Sequence, residues 1–296
     1  MGGGSYSYST ASLRRSSTYA TMSTNQIFTQ HRLNEEMNIK SKIRECCENA
    51  EHPETYPIIV ALDVTGSMGY IPSRLIKEDF PEMVKKIIEG GVECPQICFV
   101  AVGDHEWDSS PFQAGQFEAS DELMEKWLTN TYLEGGGGGN AGESYGLAWY
   151  FAARHTACDA IKRGKKGLLI TIGDEPVLKD YPQSAITGIF GDGAQAPITA
   201  AQMLEEAKEK WEVYHINVED YSGQSPRTKN CWNELLGDHV IHVPAGENSS
   251  ISDVIASLAV QNYKKTGTAT VDTTLTSPTG EKPDVTGTST GAAEVL

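Results

Sequence analysis

The chain has 296 residues, of which 39% are apolar, so it is long enough to bury a sizeable core in one large or two small domains. Its 24 Lys and Arg against 40 Asp and Glu give a net charge of −16, which disfavours nucleic acid and anionic membranes as partners and favours cations and basic protein surfaces. No apolar stretch approaches the roughly 18 residues needed to span a bilayer, and the N-terminus lacks the residue order of a signal peptide. We therefore expect a cytoplasmic protein.

The six cysteines lack the dense spacing of a secreted disulfide scaffold. Cys94 and Cys98 have the spacing of a zinc-ligand pair, but no second Cys or His pair completes a set of ligands. We expect reduced thiols, with these two on or beside a strand.

Both ends of the chain are polar and lack an apolar period. Residues 1–30 are rich in Ser, Tyr, Thr and Gly, which predicts a flexible arm that orders only against a partner or against the domain. Residues 265–296 are rich in Thr, Gly, Ser and Pro and have almost nothing to bury, which predicts a disordered tail or linker.

A helix is expected between the arm and the main domain, in residues 31–54. There Ile39, Ile43 and Cys46 recur at the spacing of one helix face. This pattern predicts an amphipathic helix that precedes the domain.

The main domain, residues 55–264, alternates short apolar runs with helical patterns. Runs that are apolar at every position are typical of parallel strands covered on both faces. The predicted strands are 58–62, 97–102, 167–172, 211–216 and 239–243, and the predicted helices are about 72–89, 143–162, 198–210, 228–236 and 249–264. This alternation predicts an α/β fold with a doubly wound, mostly parallel sheet, in which ligands bind beyond the carboxyl ends of the strands.

A carboxylate and two hydroxyls follow the first predicted strand of this domain. They belong to Asp63, Thr65 and Ser67, which occupy alternate positions of one short loop. Such hard oxygen donors suit Mg²⁺ or Mn²⁺. The alternative is a turn in which Asp or Ser caps the following helix without a metal.

Two further loops are expected at the same edge of the sheet. Asp174 follows the strand 167–172 and adds a second carboxylate. Between the two carboxylates, the glycines 135–139 lead to Asn140, and glycines let the backbone approach a small ligand closely. Loops that bear oxygen donors in this order support a metal site better than the first loop alone.

The spacing Asp63-x-Thr65-x-Ser67 resembles the Asp-x-Ser-x-Ser loop of the metal-ion-dependent adhesion site in the von Willebrand factor A family. The resemblance covers about residues 55–264. It implies that Asp174 supplies the later carboxylate and that water or an acidic side chain of a partner completes the coordination. It also implies that movement of the last helix can be coupled to the site.

The middle loop departs from the usual family pattern, which has Thr after the glycines where this chain has Asn140. Asn140 is the candidate ligand by position, and Glu143 and Ser144 are the alternatives. The domains attached to some atypical kinases have Gly-Gly-Gly-Asp followed by Glu, a pattern that Asn140 and Glu143 resemble. The sequence Gly103-Asp104-His105 also resembles that branch, so Asp104 is either an outer-shell ligand or a surface or helix-capping residue. Glu143 replaces the lysine of a phosphate-binding loop, which disfavours nucleotide binding.

The leading hypothesis is a protein-interaction module, not an enzyme, in which a metal ion captures an Asp or Glu side chain from a protein partner. The expected ion is Mg²⁺ or Mn²⁺, and its expected ligands are Asp63, Thr65, Ser67, Asn140 and Asp174. One alternative is a metal-dependent hydrolase with His105 or Glu143 as the general base. Another is an assembly protein that links subunits through its terminal segments and keeps only a vestigial metal site.

Overall fold

The computed structural model describes residues 4–136, 139–193, 196–247 and 250–268. Its strands are β1 (Arg44–Cys46), β2 (Tyr56–Asp63), β3 (Pro95–Val102), β4 (Phe112–Ala114), β5 (Thr156–Cys158), β6 (Gly167–Gly173), β7 (Asp180–Tyr181), β8 (Ile198–Thr199), β9 (Trp211–Glu219) and β10 (Val240–Pro244). Its α-helices are α1 (Tyr8–Ser17), α2 (Thr24–Ile27), α3 (Tyr70–Arg74), α4 (Phe80–Glu89), α5 (Asp121–Thr129), α6 (Gly146–Arg154), α7 (Asp159–Lys162), α8 (Gln183–Phe190), α9 (Ala200–Lys210), α10 (Pro226–Leu236) and α11 (Ile251–Thr268).

A central six-stranded sheet has the order β10-β9-β6-β2-β3-β4. Its pairs are parallel except for β3 with β4, which is antiparallel. The predicted α/β fold with a doubly wound, mostly parallel sheet is therefore confirmed, and the predicted strands correspond to β2, β3, β6, β9 and β10. The chain builds the sheet outward from β2 in one direction and from β6 in the other. The topological switch point, where ligands bind in such sheets, lies between these two strands.

The sheet is covered by a hydrophobic core on each face, and β2 shows how the sequence produces both. Alternate side chains of a strand point to opposite faces. Ile58, Val60 and Leu62 join the core on the side of α4 and α11. Ile59 and Ala61 join the core on the side of α6 and α9. A strand buried on both faces must be apolar at every position, as this one is.

The N-terminal segment, expected to be flexible unless docked, packs against the domain from residue 4 onward. Ile27 and Phe28 are buried in the core beside α3 and α4. The Tyr6 hydroxyl donates a 2.8 Å hydrogen bond to the carbonyl of Pro81. The Arg14 guanidinium forms ion pairs with two carboxylates of α5. Apolar burial and ion pairing together hold this polar segment in place.

The predicted helix in residues 31–54 is wrong. The segment consists of turns and of β1, which pairs in parallel with β5. Ile39 and Cys46 are buried, but Ile43 is 56% exposed, so the apolar spacing does not mark one face. Ser41 has φ 57°, a left-handed conformation that a right-handed helix does not contain. The segment belongs to the α/β body.

Other element boundaries differ from the expected ones. The predicted helix 143–162 is divided into α6 and α7 by β5, and the predicted helix 72–89 is divided into α3 and α4 by a π-helical turn. The last helix extends to Thr268, and residues 269–296 of the expected tail lie outside the described residues. Within the described ranges no helix is long and apolar enough to cross a membrane.

Candidate metal site

Asp63 ends β2 and is 1% exposed. Its Oδ1 accepts hydrogen bonds from the backbone N–H of Thr65 at 2.9 Å and from the Thr65 hydroxyl at 2.6 Å. Its Oδ2 accepts a 2.7 Å hydrogen bond from the Tyr145 hydroxyl. All these donors are neutral. Burial raises the pKa of Asp63 above its ordinary value, although the hydrogen bonds from Thr65 and Tyr145 oppose that rise.

Asp174 follows the end of β6 and is fully buried. Its Oδ1 accepts a 2.9 Å hydrogen bond from the Ser67 hydroxyl, so the first loop reaches this second carboxylate. Among the described residues its buried Oδ2 has no hydrogen-bond partner. Burial first, and the neighbouring Asp63 second, raise the pKa of Asp174 to about 7.

The glycine loop approaches the first loop closely. The Gly66 N–H donates a 2.7 Å hydrogen bond to the Gly136 carbonyl, and a Cβ on Gly66 would lie 3.2 Å from that oxygen. Further along the loop, the Asn140 amide donates to Glu106 at 2.8 Å, and the buried Asn140 Oδ1 has no partner among the residues that the structure describes. No hydrogen bond joins Asn140 to Asp63 within the described residues. Asn140 thus stays a predicted ligand.

Ser144 and Glu143, the other candidate ligands from this loop, differ in whether their side-chain oxygens are already hydrogen-bonded. The Ser144 hydroxyl oxygen accepts from the His105 backbone N–H at 2.9 Å and lies 2.8 Å from the ring Nδ1. Glu143 is 4% exposed, and its Oε2 has no partner in the described part of the chain. Burial first, and then the charges of Asp63 and Asp104, raise the pKa of Glu143. The Ser144 hydroxyl is therefore already engaged, whereas Glu143 keeps an unpartnered oxygen.

Asp104 follows β3 and is fully buried. Its Oδ1 accepts a 2.8 Å hydrogen bond from the backbone N–H of Glu106, and its Oδ2 has no partner. The expected surface role of Asp104 is therefore wrong, and the residue caps a turn instead of a helix, while one of its carboxyl oxygens stays unsatisfied among the described residues.

The residues present fit a divalent cation. Asp63, Asp174 and Glu143 are buried, and the charged groups that perturb their pKa values are all acidic. A cation supplies the charge that such carboxylates lack. No group of three or more His, Cys, Asp or Glu side chains is placed to hold a metal within the described part of the chain. An ion here would therefore depend on the hydroxyls of Thr65 and Ser67, and on water, as well as on the two aspartates.

Tyr145 is a residue of the site that sequence reasoning missed. It is fully buried, and its ring packs edge-on against Trp232 and His215. A Cβ on Gly173 would lie 1.8 Å from the Tyr145 hydroxyl oxygen, so the glycine at the end of β6 makes room for the phenol. In the sequence, Gly173 indicates that another residue packs closely against the end of β6, but it does not indicate that this residue is Tyr145.

No protein-family model matches the sequence, and no curated protein matches it. Among solved structures, the open conformation of the pilus adhesin SpaC from Lactobacillus rhamnosus GG is 10% identical with a TM-score of 0.47, and the match covers 77% of this chain and 31% of that one. The vWF domain of the type V pili tip protein Mfa5 from Porphyromonas gingivalis is 13% identical with a TM-score of 0.45, covering 72% of this chain and 96% of that one. An aerotolerance-related membrane protein from Bacteroides fragilis is 15% identical with a TM-score of 0.40, covering 71% and 99%.

This chain spans about a third of the length of the pilus adhesin. Its identity to each of these structures is at most 15%, and the TM-scores are below 0.5. Such distant similarity carries no information on function, which must come from the site.

Proposed function

We propose that this protein is a protein-interaction module of the von Willebrand factor A type, in which a divalent cation binds an Asp or Glu side chain of a protein partner. The ion would be Mg²⁺ or Mn²⁺. Its ligands would be Asp63, Thr65, Ser67 and Asp174, with Asn140 from the middle loop.

The observation that carries this proposal is the unsatisfied Oδ2 of Asp174. A buried carboxylate oxygen without a hydrogen-bond donor is costly, and in the described part of the chain no basic side chain offsets the charge. The oxygen lies at the switch point of the sheet, where the Ser67 hydroxyl already connects the first loop to Asp174. A cation at this place would remove the cost.

The surrounding side chains would hold the ligands in position. Thr65 and Tyr145 fix the carboxylate of Asp63, and Asp174 fixes the hydroxyl of Ser67. A bound ion would supply an open coordination position and a focus of positive charge in an acidic protein. A partner carboxylate could then bind where the net charge of −16 alone would repel it.

Two features support binding over hydrolysis. His105, the candidate general base, has its Nδ1 next to the Ser144 hydroxyl and its Nε2 buried without a partner. Ser144 is itself fully buried, so neither its hydroxyl nor the buried Nε2 of His105 faces solvent. A cytoplasmic location is part of the same proposal and is supported by the six free thiols.

The proposal is tested by isothermal titration of metal-stripped protein with Mg²⁺ and Mn²⁺. We expect one binding site in the unaltered protein and at least a tenfold loss of affinity in Asp63→Asn and Asp174→Asn. Asp253→Asn, which removes an exposed carboxylate paired with Lys86, is the matched control and should bind as the unaltered protein does. Equal metal binding in all these proteins would contradict the proposal.

A further inference from the structure

Two strongly exposed aromatic side chains lie beside the candidate metal site. Tyr221 is 73% exposed and Trp107 is 65% exposed. Trp107 lies in the loop after β3, and Tyr221 lies in the loop after β9. Because β3, β2, β6 and β9 are adjacent parallel strands, both loops lie at the edge that carries the site. One aromatic residue therefore stands on each side of it.

Contacts join the Trp107 loop to the site. A Cβ on Gly136 would lie 2.8 Å from Oδ1 of Asp108, the residue after Trp107. The Gly136 carbonyl in turn accepts the hydrogen bond from Gly66 of the first loop. The Trp107 loop thus packs on the loop that borders the proposed ligands.

The Tyr221 loop is equally close. A Cβ on Gly223 would lie 3.3 Å from Cβ of Asp174. In the same loop, Asp220 accepts a 2.6 Å hydrogen bond from the Tyr70 hydroxyl. Tyr70 is the first residue of α3, so this bond joins the loop to that helix. The loop that carries Tyr221 therefore borders the side of the site formed by Asp174.

Tyr221 is held in an unfavourable backbone conformation. Its φ of 44° lies in the left-handed region, which a bulky residue rarely adopts. Its ring contributes little to the core, since most of it faces solvent. Strain at an exposed aromatic residue is typical of a side chain that is kept for binding.

Each aromatic residue has acidic neighbours in sequence. Trp107 stands between Glu106 and Asp108, and Tyr221 follows Asp220. An aromatic face beside a carboxylate attracts Lys or Arg through both cation–π and ionic interactions. A purely acidic partner would be repelled by the same groups.

We propose that Trp107 and Tyr221 form an aromatic rim that grips a protein segment whose metal-binding Asp or Glu is flanked on both sides by Lys or Arg. The two rim loops are separated by the strands β2 and β6, which places them about 14 Å apart at about 4.8 Å per strand spacing. An extended segment covers that distance in about four residues at about 3.3 Å each. The basic residues would therefore stand about two positions before and two positions after the acidic one. This inference rests on the proposed function.

The test is a selection of random twelve-residue peptides displayed on phage against the full chain in Mg²⁺. We expect enriched peptides to contain an acidic residue with Lys or Arg at both flanking positions and to be released by EDTA. The proposed aromatic rim would be overturned if no peptide were enriched, or if the enriched peptides contained an acidic residue without Lys or Arg on both sides.

The enriched peptides are then measured by fluorescence anisotropy against three variants. Trp107→Ala and Tyr221→Ala should each weaken binding at least tenfold. Leu13→Ala, which removes an equally exposed apolar side chain from α1, should leave binding unchanged. Circular dichroism and the titration with Mg²⁺ check that each variant is folded and binds metal.

The outcomes separate the two proposals. Peptides that need Mg²⁺ but bind Trp107→Ala and Tyr221→Ala normally would overturn the rim and leave the metal-dependent module standing. A protein that does not bind Mg²⁺ at all would contradict the module as well.

Discussion

Asp63 and Asp174 stand at the ends of neighbouring strands but differ in how their oxygens are satisfied. Both oxygens of Asp63 accept hydrogen bonds, whereas Asp174 has one buried oxygen without a donor. Burial and the proximity of Asp63 raise the pKa of Asp174 to about 7, so its ionised form is destabilised in the metal-free protein. This residue should therefore report on a bound cation more sensitively than Asp63.

Asp174→Asn removes that charge with little change in shape. We expect the metal-free variant to match the unaltered protein in melting temperature or exceed it by up to about 3 °C, which corresponds to about 1 kcal/mol. Mg²⁺ at a hundred times the dissociation constant of the unaltered protein should stabilise that protein by about 2.7 kcal/mol, and the variant, whose affinity is at least tenfold weaker, by about 1.4 kcal/mol or less. Differential scanning fluorimetry in EDTA and in Mg²⁺ measures both effects. Equal stabilisation of the variant by Mg²⁺ would count against a site at Asp174.

Gly173 and Gly188 form a matched pair for testing how Tyr145 is held. Ala at position 173 would push against the Tyr145 hydroxyl, so we expect a loss of roughly 1–3 kcal/mol from overpacking. A Cβ on Gly188 in α8 meets nothing within 4 Å, and Gly188→Ala should be neutral or stabilise by up to about 1 kcal/mol. Urea denaturation measures both free energies of unfolding. Equal effects of the two substitutions would mean that Tyr145 is not fixed against β6.

Among the elements, the buried strands were the most predictable from sequence because apolar residues at every position have few other uses. The segment 31–54 was misread because Ile39, Ile43 and Cys46 have helical spacing by coincidence. In the structure Ile39 is buried from a stretch outside any helix or strand and Cys46 is buried at the end of β1, while Ile43 faces solvent. The antiparallel β4 was missed because three residues are too few to give a pattern.

Arg14 is the ionic anchor of α1. Asp121 and Glu125 of α5 are 5% and 2% exposed, and Arg14→Ala would leave both without their basic partner. Because the Arg14 side chain is 32% exposed, we expect a moderate loss of roughly 1–3 kcal/mol and faster hydrogen exchange in residues 4–30. Arg15→Ala, which removes only an exposed hydrogen bond to the Glu78 carbonyl, is the control. Unchanged exchange in Arg14→Ala would show that apolar contacts alone dock the segment.

His215 in β9 makes stability depend on pH. Burial first, and His242 second, hold the pKa of His215 well below its usual range. In the unfolded chain the His215 ring is protonated near about pH 6.5, whereas in the folded protein it is not. The free energy of unfolding therefore keeps its full value above that pH and falls below it by roughly 1.4 kcal/mol per pH unit.

The matched variants for this dependence are His215→Gln and His31→Gln. Urea denaturation between pH 7 and pH 5 should give a shallower loss of stability for His215→Gln than for the unaltered protein. His31 is exposed, and His31→Gln should keep the full slope. Identical slopes in all three proteins would mean that His215 is protonated in the folded state.

For the whole molecule, sequence order was enough to place Asp63 and Asp174 at one edge, because parallel strands bring their carboxyl ends together. Sequence order could not place Tyr145 against Asp63 or align the loops of Trp107 and Tyr221 on either side of the site. Those relations join distant parts of the chain and depend on how helices and loops pack on the sheet. The docking of the N-terminal segment could not be predicted from sequence either, because nothing in that segment indicates its ion pairs with α5.

The most direct test of the metal site is anomalous diffraction from crystals of the full chain grown with Mn²⁺. We expect an anomalous peak between the ends of β2 and β6, bound directly or through water to Asp63, Thr65, Ser67 and Asp174. The first coordination shell should consist of oxygen atoms, as hard divalent cations prefer. A fully occupied Mn²⁺ elsewhere with none at this edge, or no peak in crystals saturated with the metal, would contradict the account.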